Sequence, residues 1–172
     1  MDKTEILKEK LADAEVVLIG IGEEFNEKFD RIAEHEQLVK GLELVDAKEE
    51  LAWMVPYFEK IYLQEQNQSD ILSAYRNLYE LVKDKNYYIV TTCIDELIQK
   101  AGFKPEKIVE PCGNYEKMQC SAKCSTKLYE SEEYANKIKE ALQDGTLEQV
   151  EQPVCPDCGA PLAFNNIVCE NY

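Results

Sequence analysis

Two apolar periods alternate along the chain, one belonging to strands and one to helices. Residues 15–22, EVVLIGIG, form an unbroken β-branched run closed by two glycines, the pattern of a strand buried on both faces that feeds a tight turn. Residues 86–92, NYYIVTT, repeat the pattern, and KIVEP at 107–111 gives a third, shorter strand. Ahead of the first strand, Leu7 and Leu11 among charges predict a short amphipathic helix ending near Asp13. Between the first two strands the period becomes helical. Residues 24–40 carry it weakly, crowded by charge, whereas Leu51, Trp53, Met54, Tyr57, Phe58, Ile61 and Tyr62 make a wide apolar stripe interrupted at Pro56. Ser69 or Asp70 can cap a third helix, on which Ile71, Leu72, Tyr75, Leu78, Tyr79 and Val82 recur at helical spacing. IDELIQKAGF, after the second strand, predicts a short helix stopped by Gly102, and SEEYANKIKEALQDG predicts one capped by Ser131 and ended by Gly145. The tail from residue 161 can supply a further strand. Strand, helix, strand in this order implies right-handed crossovers and a mostly parallel sheet, hence an α/β fold.

Composition narrows the function classes. The 172 residues suit one domain, or one domain with a small insert, and 45% of them are hydrophobic, enough for a core. A net charge of −15 repels phosphate backbones and argues against nucleic acid as a partner. It points to protein partners, or simply to a solubilising surface. The first fifteen residues are charged throughout, and no apolar run approaches the ~20 residues that cross a bilayer, so the expectation is a cytoplasmic protein with no membrane partner. Seven cysteines, an odd number clustered as CxxxC and CxxC, favour metal over a disulfide framework.

Cys120, Cys124, Cys155 and Cys158 are the candidate ligands, two pairs with thirty residues between them. Cys155-Pro-Asp-Cys158-Gly159 has the form of a zinc knuckle, in which turn amides stabilise the thiolates and glycine permits a left-handed bend. Four sulfurs fill a tetrahedral Zn2+ shell and leave no open position, so the site is read as structural; an iron–sulfur cluster is the rival and would be brown. Cys112, in EPCG, has no obvious partner in this scheme.

These elements in this order resemble the sirtuin family: a buried strand with a glycine turn, then Thr91, Ile94-Asp95, Leu97 and Gln99-Lys100-Ala101-Gly102, then a strand ending at Gly113, then the four cysteines. The segment GNYEKMQCSAKC most resembles a divergent microbial branch associated with protein ADP-ribosylation. The resemblance implies a Rossmann-like parallel sheet over residues 1–111 with a helical insert at about 24–85. It further implies a zinc-binding module at 112–164 and the start of a return into the Rossmann domain at 165–172, the second half of the sheet being missing. It also implies NAD as cofactor, a protein substrate, and NAD-dependent deacylation or ADP-ribosylation with nicotinamide release. Gly20, Gly22, Thr91, Cys93 and Asp95 then fall at cofactor-binding positions, and Cys112 falls where the family carries its general-base histidine.

Several residues depart from that pattern. Glu23 and Glu24 follow the glycine turn, where carboxylates repel a pyrophosphate, and the turn is equally a strand-to-helix connection with no phosphate. Thr92-Cys93 stands in place of the family's Gln-Asn, and Asp95 either contacts cofactor or caps the helix that follows. A thiol with the ordinary pKa of about 8.5 is a poorer base near neutrality than an imidazole at about 6.5. His35, the single histidine, lies on the charged stretch and reads as a surface residue. A catalytically inactive module that binds a protein partner is therefore the alternative. Cys93 and Cys112, both following strands, are either a redox-responsive pair or two small space-filling residues.

Overall fold

Two three-stranded sheets organise residues 2–167, the part of the chain that the computed structural model describes. In the first, β1 (Val16–Ile21), β2 (Asn86–Thr91) and β3 (Ile108–Val109) run parallel in the order β1-β2-β3. The three strands and the α/β, Rossmann-like class read from the sequence are present. Val16 lies opposite Asn86 and Ile21 opposite Thr91, so β1 and β2 end level and their loops leave the sheet side by side.

Burial alternates along these strands, which the sequence did not suggest. Ile21, Tyr87 and Ile89 face α4 (Asp70–Val82) and α5 (Leu97–Lys100) in a core with Leu72, Tyr75, Leu97 and Phe103. The opposite face is open: Leu18 is 75% and Val109 59% exposed, with Val16, Tyr88 and Val90 beside them. β-branched residues on both faces hide a period of two, and only the covering helices decide which face is buried. The amphipathic helix α1 (Lys3–Asp13) buries no residue of its own.

The second sheet is antiparallel, ordered β5-β4-β6, from β4 (Gly113–Cys120), β5 (Leu128–Glu130) and β6 (Leu162–Asn166). β6 supplies the strand expected of the tail, whose last residues, Cys169 among them, lie outside the described part. β4 was not anticipated, because its register against β6 shifts between Gly113 and Met118 and the irregularity breaks the alternation a strand would show. This sheet packs on α2 (Glu36–Ala47), α3 (Val55–Glu65) and α6 (Glu132–Asp144) in a second core, where Phe58, Met118 and Ile138 are fully buried. Each such side chain stabilises the core by ~1.5–3 kcal/mol. Tyr57 packs at a tilt against Phe164, ring centroids 4.7 Å apart, and the Tyr115 hydroxyl donates to Glu59 at 2.6 Å, so helices from before β2 and strands from after β3 share one interior.

Local details correct three expectations. Residues 24–35 form no α-helix but two 3-10 turns, Glu23–Phe25 and Phe29–Glu34, and α2 begins only at Glu36. Pro56 does not break a helix: a 3-10 turn, Glu49–Met54, delivers the chain to α3, and the proline sits in its first turn, where a missing N–H is harmless. Ser69 Oγ accepts from the Leu72 amide at 3.0 Å and caps α4 as read, and Gly145 ends α6 with φ +68. Ser131, at the start of α6, instead donates its hydroxyl to the carbonyls of Tyr115 and Glu116 and fastens the helix to β4. Among the described residues no helix is long and apolar enough to cross a membrane.

Gly113 holds the junction between the sheets. Its φ is +64, and a Cβ there would lie 1.8 Å from the carbonyl oxygen of Asn165. Gly113→Ala is expected to destabilise the protein by ~3 kcal/mol or more, from left-handed strain plus collision with β6. Gly145→Ala, with φ +68 but open space, should lose only ~1 kcal/mol. Denaturant unfolding of the two variants checks this, and equal losses would show that the collision is relaxed away.

Candidate functional site

The loops after β1 and β2 emerge at the carboxyl edge of the parallel sheet, where open α/β folds place their ligands. Four bonds stitch them together. The Thr92 amide donates to the Ile21 carbonyl at 3.1 Å and the Ile94 amide to Asn26 Oδ1 at 2.9 Å. The Glu27 amide donates to Asp95 Oδ2 at 2.7 Å, and the Cys93 thiol to the Gly22 carbonyl at 3.1 Å. The 3-10 turns replace a helix here because Asn26 and Glu27 find their partners across the gap. A cleft of about 520 Å3 lies over this seam, bordered by Gly22, Glu23, Glu24, Asn26, Thr92 and Cys112, among others.

Cys112 reaches the cleft through the turn from β3 into β4, which is pinned by Gly113 N–H to the Glu110 carbonyl at 3.0 Å and by Ile167 N–H to the Cys112 carbonyl at 2.9 Å. Thr91, Cys93 and Asp95 do not border the cleft. They lie beneath it, all 3% exposed or less. Gly20 stands apart on the open sheet face, with nothing within 4 Å of where a Cβ would be. Gly22 has φ −92, so neither its identity nor that of Gly20 is required by a left-handed turn. His35 is remote: its Nδ1 lies 3.4 Å from Glu65, its ring packs edge-on to Tyr62, and it does not border the cleft. The sequence reading missed Asn26 and Glu27, whose backbone and amide roles leave no residue-level pattern, and Tyr75, read only as one position of an apolar helix stripe.

Burial sets the electrostatics. Asp95 accepts from the Glu27 and Leu97 amides, which favour its charge, yet burial outweighs them and pushes its pKa up to about 6. Burial also raises the Cys93 thiol, consistent with a neutral S–H that donates. The Tyr75 hydroxyl is raised chiefly by burial, with a further push from the nearby Asp95 carboxylate. At the rim the charge is negative: Glu24 Oε2 lies 2.7 Å from the position of a Gly22 Cβ, so a carboxylate folds back over the glycine.

The second constellation is at the far end of β4. Cys120 ends that strand, and Lys123, left-handed with φ +50, turns the chain so that Cys124 comes back beside it. Gly159, with φ +76, does the same after Cys158. The four sulfur atoms lie within 4.8 Å of one another, with Cys120 to Cys158 at 3.4 Å and Cys124 to Cys155 at 3.6 Å. Tetrahedral zinc with bonds of about 2.3 Å wants sulfurs about 3.8 Å apart, and all-thiolate donors suit it, so the residues fit the ion. Zinc here would close the knuckles with no coordination position left for chemistry.

A short parallel sheet with a cleft at its strand ends, joined to an antiparallel module whose four cysteines could hold a metal ion, defines a Rossmann-like α/β protein. The sequence model of the Sir2 family matches residues 15–168, and the chain belongs to that family. A protein ADP-ribosyltransferase of Staphylococcus aureus (strain Mu50 / ATCC 700699) is 25% identical over 181 aligned positions, covering 95% of this chain and 56% of the relative. Solved Sir2 structures share the fold. One, described as the structural basis for the mechanism and regulation of Sir2 enzymes, has a TM-score of 0.54 and 19% identity, covering 97% of this chain and 63% of its own. Another, a Sir2 complex with a p53 peptide and NAD+, has a TM-score of 0.53 and 21% identity, covering 97% and 64%. The chain thus spans less than two thirds of the length of each of these relatives.

Two measurements test the site. Metal analysis should find one zinc per chain; Cys155→Ser should lose it and lower the thermal midpoint by about 10 °C, equivalent to ~4 kcal/mol. The carboxyl of Asp95 is raised above its unfolded value of about 3.9, so it binds more protons folded than unfolded, and its stabilisation is full below about pH 4 and lost as pH rises through about 6. Between pH 4 and 7, urea titrations should show wild type losing ~3 kcal/mol more than Asp95→Asn, at about 1.4 kcal/mol per pH unit. Parallel profiles would contradict this account of Asp95.

Proposed function

We propose that this chain forms the nicotinamide-side part of an NAD-dependent protein ADP-ribosyltransferase. The observation that carries the reading is the cleft itself: Gly22, Thr92 and Cys112 meet over buried Asp95 at the strand ends, and no imidazole borders it. Sirtuin deacylation depends on a histidine base in the family pattern, and a cysteine stands in that position here. Membership of the Sir2 family, the activity named for the staphylococcal relative and the NAD+ held by a solved neighbour all support NAD as the ligand. NAD would supply the ADP-ribosyl group: nicotinamide departs with the electron pair of its bond to the anomeric carbon, while an oxygen or nitrogen of the acceptor protein bonds that carbon and sheds its proton. This chain's share is to hold the ligand in place. Asn26 and Thr92 offer polar contact at the rim, the seam beneath keeps the two loops fixed, and the zinc module braces the β4 end of the cleft through the Cys112 turn.

A second reading, a module that binds a protein or nucleotide without turnover, is favoured by one feature, the Glu24 carboxylate over Gly22. Incubating the protein that carries this chain with NAD and a cell lysate separates the two. Nicotinamide release with label transferred to protein is the expected result. NAD binding without release would establish the inactive module, and consumption of an acetyl-lysine peptide would return deacylation. In the same binding assay Glu24→Gln is expected to tighten NAD about fivefold, the ~1 kcal/mol of one charge pair about 4 Å apart in water. An unchanged dissociation constant would mean that Glu24 swings clear of the phosphates.

A further inference from the structure

Lys60 is a lysine in an unusual place. It lies on α3 in the middle of the helical insert and is only 2% exposed. Its Nζ sits 3.1 and 3.2 Å from the two carboxylate oxygens of Glu96 and 3.7 Å from Glu132 on α6. A buried ammonium needs such partners, but ion pairs of this kind are weak evidence for stability and stronger evidence for a fixed local geometry.

The geometry being fixed is that of Glu96. Its φ is +61, and apart from Lys123 in the zinc knuckle it is the only non-glycine residue in the described part with a left-handed backbone. That conformation costs about 1–2 kcal/mol for a residue with a Cβ, and it persists only where surroundings hold it. Glu96 directly follows Asp95. The left-handed step bends the chain so that Asp95 Oδ1 reaches the Leu97 amide at 3.0 Å while Oδ2 reaches the Glu27 amide at 2.7 Å. A second lysine ties the same segment to the same helix: Lys100 Nζ donates to the carbonyls of Leu63 and Gln64 at the end of α3.

We propose that Lys60 is the positioning residue of the cleft: by clamping Glu96 in its left-handed conformation it aims Asp95 at the Glu27 and Leu97 amides and so locks together the two loops that floor the cleft. The effect on ligand rests on the NAD reading given above; the clamp itself does not. Because Lys60 belongs to the insert and Glu132 to the zinc-module helix, the floor of the cleft is set from outside the parallel sheet.

Hydrogen exchange at single amides tests the clamp without any ligand. In Lys60→Met the Glu27 and Leu97 amides should exchange at least tenfold faster, beyond any change in global stability. Adding Glu96→Gly, which takes φ +61 without help, should restore their protection, whereas adding Glu96→Gln, which removes the same charge but keeps the Cβ, should not. Equal rescue by glycine and glutamine would show that Lys60 merely balances charge, and unchanged exchange in Lys60→Met would show that it positions nothing; either result overturns the proposal. Should Lys60→Met fail to fold, Glu96→Gln alone, with Lys60 kept, is expected to speed the same two amides at least threefold, and no change would overturn the proposal equally. Titration with NAD forms a separate arm. A dissociation constant raised about tenfold in Lys60→Met, recovered with glycine at 96, extends the clamp to the ligand. No NAD binding by any of these proteins, with the exchange pattern as expected, would overturn the NAD reading while leaving the clamp in place.

Discussion

The carboxylate of Asp95 is the point on which the two strand-end loops depend. One oxygen takes the amide of Leu97 in its own loop and the other takes the amide of Glu27 in the loop after β1. A buried carboxylate held by two backbone donors has little freedom, because losing either amide leaves a polar group unpaired, at about 1–3 kcal/mol. The loops are therefore not independent flaps but one surface. Its residues face the cleft with Thr92 and Asn26, and keep Cys93 and Thr91 inside.

The second constraint is that the molecule's two cores do not follow chain order. Helices α2 and α3, which come before β2, pack with a sheet built from residues after β3, whereas α4 and α5 cover the parallel sheet, with Leu11 of α1 against the same core. Helices α2 and α3 and the cysteine module consequently share one core, joined to the parallel sheet through the turn at Gly113 and through the contacts of α3 with the loop after β2. A four-sulfur site at the end of β4 fits this arrangement. Zinc held there would close the two turns.

The candidate site was legible where side chains carry it and illegible where backbone does. The four cysteines announce themselves by spacing, since thiolates at a knuckle have few other uses. Cys112 stands out because the resemblance sets it where the family carries a histidine, in a recognisable order of motifs. Gly20 and Gly22 look alike in the sequence, yet only Gly22 borders the cleft; Gly20 belongs to the open face of β1. Asn26 and Glu27 gave no signal at all, because one acts through an amide side chain in a charged stretch and the other through its backbone N–H, which every residue but proline possesses.

The sequence by itself determined the local elements with strong periods or caps: the three parallel strands, α4 behind Ser69, α6 up to Gly145, and the pairing of cysteines into two knuckles. These follow from spacing within ten or so residues, where turn chemistry and side-chain period act directly. Only the tertiary structure decided which face of the parallel sheet is buried, that β4 exists across an irregular register, that Ser131 serves β4 rather than its own helix, and that a lysine sixty residues from the start lies beside Glu96. Each of those depends on what packs against the segment from far along the chain, and a packing partner leaves no trace in the segment it covers.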